Sequence, residues 1–257
     1  MPEMKNSGIE WIGEIPKTWK VDRIKYLPNK EPNSFIDGDW IDSPYITETG
    51  IRYLTTGNIG DGYFKRQGDG YISEETFKLL GCTFAYPGDL VFSRLNAPFG
   101  RSCILPNDED RYVLAVDNVI LRTNDCKQYL CYVSQCMGFQ NSVYDVAAGT
   151  TMKRVSRTNL GNIKIPRPPL SVQQSIANFL DQKCSEIDSL SADIQSQVNV
   201  LEEYKKSVIT EAVTKGLNPD VEMKDSGIEW IGEMPKHWHT IKCKYISNFI
   251  NGYAFNS

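Results

Sequence analysis

IKIPRPPLSVQQSIANFL, residues 163–180, joins a proline-rich breaker to the start of a helix, and its reading decides the fold. Pro166, Pro168 and Pro169 hold the chain extended. Ser171 with Gln174 three residues on then forms a capping-box pattern. From there the sequence runs without Pro or Gly to Gly216, a natural C-terminal stop. The pattern predicts a helix over 171–216. Leu180, Ile187, Ile194, Leu201 and Val208 recur at every seventh position, with Ile176, Leu190, Val198 and Tyr204 beside them. Lys183, Gln197 and Glu211 stand where a strict two-stranded zipper places Leu, so the seam is uneven. At about 1.5 Å per residue the helix is about 65 Å long, too long for one domain of this size to cover. The stripe calls for a partner helix. The alternative is a long helix held only by its own domain, with an apolar face left in water.

Working toward the N-terminus, residues 28–170 read as a mixed α/β body of the α+β kind. Short β-rich runs at 52–56, 89–93 and 113–122 alternate with Gly, Asn, Asp and Pro turn signals, and a helix is predicted over about 127–143. Short strands with long polar loops suit the display of varied side chains. Beyond Gly216 the sequence repeats itself. MKNSGIEWIGEIPKTWKVDRIKYL at 4–27 returns as MKDSGIEWIGEMPKHWHTIKCKYI at 223–246, an offset of 219 residues. The repeat unit is therefore a domain plus a helix. The expected organisation is an arm at 1–27, a body at 28–170, a spacer helix at 171–216, and the opening of a second unit at 217–257. Within the arm Gly8, Gly13 and Pro16 prevent a long helix. Trp11 and Trp19 are read as anchors on the core, ahead of the alternative of stacking on bases.

The formal charge is −4, which argues against nucleic acid, because Lys and Arg neutralising phosphates supply most non-specific affinity. The distribution changes that. Residues 150–167 carry Lys153, Arg154, Arg157, Lys164 and Arg167 with no acid, whereas the long helix is rich in Asp and Glu. Seven cysteines form an odd set without a Cys-x-x-Cys pair, and the only histidines flank Trp238. They are expected to be reduced, mostly buried thiols, with no metal site. The N-terminus lacks a signal-peptide pattern and no run of about 18 apolar residues occurs, so a cytoplasmic protein with no membrane association is expected.

Together these pieces resemble the specificity subunit of type I restriction-modification systems. The resemblance lies in Gly8 through Pro16 with Trp19, in Thr56-Gly57-Asn58-Ile59, in Pro87-Gly88-Asp89-Leu90-Val91 and above all in residues 163–180, continuing at Leu180-Asp181, Ile187-Asp188 and Glu211-Ala212-Val213. It covers nearly the whole chain, and departs at Gln173, where the family usually has Glu. It implies a non-catalytic protein that reads half of a split DNA target and docks methyltransferase subunits through its helix. No cofactor is expected in this chain, S-adenosylmethionine being bound by the partner subunit. A restriction subunit is a further partner left open. The family plan has two recognition domains on two antiparallel helices, so one domain and one helix imply a half-length subunit that pairs with a copy of itself. Leu180, Ile187, Ile194, Leu201 and Val208 are the expected pairing and docking residues.

Loop-borne Arg and Asn are the candidates for reading bases, and Lys for phosphates. Arg52, Lys65, Arg66, Arg94, Asn96, Arg101, Lys153, Arg154 and Arg157 each lie near Gly, Pro or Thr, where loops let a side chain project. Each has the alternative of being an ordinary surface cation or amide. Two enzyme patterns are decoys. Asn96-Ala97-Pro98-Phe99 lacks the first proline of the amino-methyltransferase loop and has no Gly-rich cofactor loop before it. Glu203-Tyr204-Lys205, a nuclease-like pair, lies inside the long helix. No Ser/His/Asp set is present. An interaction scaffold that ignores DNA remains the alternative function. It explains the helix and the repeat but has no use for the basic segment.

Overall fold

The computed structural model describes residues 3–149, 152–250 and 252, so the first two residues of the basic segment and most of the chain's last residues lie outside the described residues. In chain order the strands and helices are β1 (Met4–Asn6), β2 (Glu14–Pro16), β3 (Lys20–Arg23), β4 (Phe35–Asp37), β5 (Ile51–Leu54), β6 (Tyr71–Ile72), α1 (Glu74–Leu80), β7 (Phe84–Ala85), β8 (Leu90–Ser93) and β9 (Ser102–Ile104). They continue with β10 (Tyr112–Leu114), β11 (Asn118–Leu121), α2 (Lys127–Gln135), α3 (Met137–Asp145), α4 (Arg157–Asn162), β12 (Lys164–Arg167), α5 (Leu170–Lys215), β13 (Met223–Asp225) and β14 (Glu233–Pro235). The chain divides into two compact units, Met1–Lys183 and Cys184–Ser257.

The first unit holds two four-stranded sheets, ordered β6-β5-β10-β7 and β4-β11-β8-β9, of mixed and antiparallel pairing respectively. This is the α+β body expected from the sequence. The run 113–122, read as one strand, is two strands in different sheets. The chain turns at Ala115–Asp117, where the Asn118 amide bonds to the Ala115 carbonyl at 2.9 Å. The predicted helix 127–143 is likewise two helices, since Cys136 adopts an extended ψ of 130° and ends α2 while opening α3. Leu90, Phe92, Val119, Leu121, Leu130, Phe139 and Leu160 form the main core, with Trp11 packed against it. The arm is thus built into the body: Trp11 anchors on the core, whereas Trp19 is not among the residues packed there, and β3 pairs with β12 to bring the two ends of the domain together.

The long helix spans 46 residues, one residue earlier at each end than the pattern predicted. Its first turn is fixed differently from the capping box. Ser171 lies within the helix, and the Pro169 carbonyl accepts from the amides of Val172 and Gln173 at 2.9 and 3.0 Å. Gln173 is buried; its side chain accepts from the Cys126 amide at 2.9 Å and donates to Asp125 Oδ1 at 2.8 Å and to the Pro168 carbonyl at 2.9 Å. A carboxylate has no proton to give those two acceptors, which explains why Gln suits this chain at the position. Arg167 completes the joint, 3.0 Å from Asp22 and 2.9 Å from Asp125. In the first unit Ala177 is buried in the core and Ile176 packs against it.

In the second unit the same helix is bare: Ile187, Ile194, Leu201 and Val208 are 64, 52, 64 and 44% exposed. Gly216, at φ 78°, ends it, and the β13–β14 hairpin follows. No described helix is long and apolar enough to cross a membrane. Of the seven thiols only Cys82, Cys103 and Cys131 are buried, fewer than expected; Cys136, Cys184 and Cys243 are exposed. Burial pushes the Cys103 thiol up to about 12.

Candidate nucleic-acid interface

The β8–β9 hairpin carries an eight-residue connection, Arg94 to Arg101, with an arginine at each end. Both side chains lie against the protein. Arg94 is buried: Nη1 donates to the Val155 carbonyl at 2.9 Å, Nη2 to the Val116 carbonyl at 2.5 Å, and Nη2 lies 3.0 Å from Asp37. Burial pushes its guanidinium below the ordinary value, opposed by Asp37 and Asp117. Arg101 reaches the other way. Its Nε donates to the Ile59 carbonyl at 2.7 Å and Nη2 to the Thr56 carbonyl at 3.0 Å. Its Nη1 faces the carbonyls of Leu95, Asn96 and Pro98 at 3.4–3.5 Å. Burial lowers this group as well. The expectation that each candidate projects from a loop therefore fails for Arg94 and Arg101, which are spent on the framework, as it does for Arg52, inward on β5, and Arg157, in the first turn of α4.

Between them Asn96 is exposed and has φ 60°, a backbone state that Asn tolerates better than most residues. Its loop is laced to a third segment: Leu95 bridges Arg154, and the Asn96 amide meets the Lys153 carbonyl at 3.5 Å. Lys153 sits over the Tyr144 ring, 3.9 Å from its centroid, and bonds to the Tyr144 hydroxyl at 2.7 Å. Arg154 pairs with Asp117 at 2.6 Å, and Arg157 lies 3.5 Å from Asp37 while donating to the Phe35 carbonyl. The basic segment is thus partly neutralised by acids remote in sequence, Asp117 for Arg154, Asp37 for Arg157, and Asp22 and Asp125 for Arg167. It is not one open patch, since Lys164 and Arg167 lie on β12 beside β3.

The second loop, 55–70, is shaped by Asn58. This buried amide caps Thr55 and donates to the carbonyls of Lys65 and Gln67 at 3.1 and 2.7 Å, so that Lys65, Arg66 and Gln67 are held in place by an internal frame. Arg66 is 71% exposed at its side chain and pairs with Asp108 at 2.6 Å. Lys65 lies 5.7 Å from the Tyr63 ring centroid. Arg52 turns inward, its side chain only 12% exposed, bonded to the Gly68 carbonyl and 3.3 Å from Asp69. Arg101 joins this loop to the Asn96 loop, and Asn96 joins that loop to Lys153. Asn96, Lys65, Arg66, Lys153 and Arg154 are consequently presented on three interlinked loops, with Arg52, Arg94 and Arg101 beneath them. Sequence reasoning missed Tyr63 and Met152, 59 and 60% exposed beside the cations; no motif marks either. Glu203 and Lys205, the nuclease-like pair, are plain exposed residues of α5.

Residues 16–200 match the family described as type I restriction modification DNA specificity domain. Among curated relatives, the putative type I restriction enzyme MjaX specificity subunit of Methanocaldococcus jannaschii is 26% identical over 90% of this chain and 53% of its own length. The MjaVIII specificity subunit of the same organism is 28% identical over 94% of this chain and 52% of its own length. The chain spans about half the length of these relatives. A solved structure concerned with complex assembly and conformational transition of the type I R-M system superposes with a TM-score of 0.62 at 19% identity, covering 79% of this chain and 47% of that one. The HsdS subunit from Thermoanaerobacter tengcongensis gives 0.56 at 18% identity, over 83% and 48%. These relatives are named for specificity and not for catalysis, and the chain belongs to the family of type I restriction-modification DNA specificity domains.

Proposed function

We propose that this chain is the non-catalytic, sequence-reading component of a type I restriction-modification complex, that its body reads one half of a bipartite double-stranded DNA target, and that α5 docks the modification subunits. The observation that carries the reading is the join of two features: cations and an amide on three interlinked loops, and a 46-residue helix whose apolar stripe lies bare at Ile187, Leu190, Ile194 and Leu201. An exposed stripe of that size marks a protein-contact face. Its expected occupants are the helix of a second copy, antiparallel, and helices of the methyltransferase subunits. S-adenosylmethionine enters with those subunits. Two copies related by a two-fold axis place their reading domains nearly two DNA turns apart, given about 1.5 Å per helical residue and about 34–36 Å per turn, and so read an interrupted palindrome.

Selection from a pool of random duplexes, run at stated salt with and without a partner methyltransferase subunit, tests this directly. Recovery of one bipartite sequence supports the reading. Binding that falls with salt but prefers no sequence leaves an interaction scaffold as the function. Sedimentation at high protein concentration tests the pairing separately, and a monomer in the absence of all partners rejects the homodimer.

A further inference from the structure

The connection between β8 and β9 is held rigid from both flanks. Arg94 ties its first residue to the Val116 and Val155 carbonyls, and Arg101 gathers five main-chain carbonyls, two from the 56–59 segment and three from the connection itself. A guanidinium offers five N–H groups in a fixed fork, and carbonyl oxygens at 2.7–3.5 Å occupy every nitrogen of Arg101. It is committed to the fold. Asn96 is the opposite case. Its side chain is exposed, its backbone is set at φ 60° by a loop tied to Arg101 and Lys153, and its side-chain amide makes no hydrogen bond among the described residues. A side-chain amide presents one acceptor and two donors in a plane, the pattern that pairs bidentately with adenine N6 and N7 in the major groove. Holding the loop backbone still before binding reduces the ordering cost of that contact, leaving only the side-chain torsions of Asn96 to be fixed.

We infer that Asn96 is the base-reading side chain of this loop, with an adenine edge as its partner, and that Arg101 is a positioning residue that fixes the Asn96 loop against the loop carrying Lys65 and Gln67. The inference rests on the DNA-reading function proposed above. Arg101 sets the distance between two reading loops and touches no DNA.

The full chain, with a partner methyltransferase subunit present, is compared with Asn96→Ala, Arg101→Gln and Arg101→Lys by selection from random duplexes and by the slope of affinity against salt. Asn96→Ala is expected to keep the selected motif at every position but one, where preference for adenine falls by about 5- to 150-fold. Both Arg101 variants are expected to relax that same position, and those read by the 56–67 loop, while leaving the salt slope unchanged. Lysine does not rescue, because a point ammonium cannot hold carbonyls on two sides. A salt slope shallower by about 1 with the motif intact makes Arg101 a phosphate contact and overturns its positioning role. An unaltered motif in Asn96→Ala overturns the assignment of the reader, and that exposed substitution remains informative if Arg101→Gln fails to fold. A wild-type chain that selects no sequence instead overturns the function on which the inference stands.

Discussion

The two arms share the eight residues Ser-Gly-Ile-Glu-Trp-Ile-Gly-Glu, at 7–14 and 226–233, and they fold alike. Met4 pairs with Pro16 as Met223 does with Pro235. The Ser7 amide meets the Gly13 carbonyl at 2.9 Å, and the Ser226 amide meets the Gly232 carbonyl at the same distance. Their surroundings differ. Trp11 lies against the main core and over Gly138, whereas Trp230 is 71% exposed. Local sequence therefore suffices to specify the hairpin, and a body must be supplied from elsewhere to bury its tryptophan. The largest contrast should appear on deleting the indoles. Trp11→Ala should destabilise the first unit by about 2–4 kcal/mol, since a large ring leaves a cavity, and Trp230→Ala should change the second by no more than about 0.5 kcal/mol. Hydrogen exchange at the Ser7 and Ser226 amides reads each arm on its own; equal losses in both would mean that the seat contributes nothing.

The seat itself can be attacked from the other side. A Cβ placed on Gly138 would lie 2.2 Å from Trp11 Cγ, far inside contact distance. The ring must move or α3 must shift. Gly138→Ala is expected to cost about 1–3 kcal/mol in the first unit, as overpacking does, and to expose the Trp11 fluorescence to quenchers while Trp230 stays as accessible as before. A silent Gly138→Ala would show that the arm is not pinned there.

Thiol ionisation sharpens the same contrast between a covered and an uncovered region. Burial holds the Cys103 thiol at about 12 against an ordinary 9.0, so the folded chain retains a proton that the unfolded chain releases. Its contribution is complete below pH 9.0 and is lost as the pH climbs toward about 12. The slope is about 1.4 kcal/mol per pH unit. Denaturant titrations from pH 9 upward toward 12 should show it, and Cys103→Ala should reduce it.

The sequence announced its long-range periodic features and concealed its contacts. The helix was legible because forty-odd residues without Gly or Pro average out local noise, and the arm because it occurs twice. The turn at Ala115–Asp117 was harder to read because Asp117 and Asn118 mark it without a Gly or Pro, and the break at Cys136 because a single extended residue separates two helical stretches, even with Gly138 close by. The loops that hold the candidate residues could be placed, yet the role of each arginine could not. Arg94 and Arg154 depend on Asp37 and Asp117, and Arg101 on carbonyls more than 40 residues away; such partners leave no local trace. Charge read along the chain thus overstated the basic segment.

If the hairpin is written in its own residues, then a backbone perturbation should act equally in both arms, however different their burial. Gly8 and Gly227 offer that test. Both sit at φ +68°, and a Cβ on either would find nothing within 4 Å, so substitution meets no clash and bears only the cost of a left-handed L-residue. Gly8→Ala and Gly227→Ala should each destabilise their hairpin by about 1–2 kcal/mol. Because the cost arises within the residue, the seat of Trp11 cannot relieve it. A substantially smaller loss in the first arm would show that the core imposes the turn; a matching loss would assign the turn to the repeated sequence and leave to the body only the task of covering the indole.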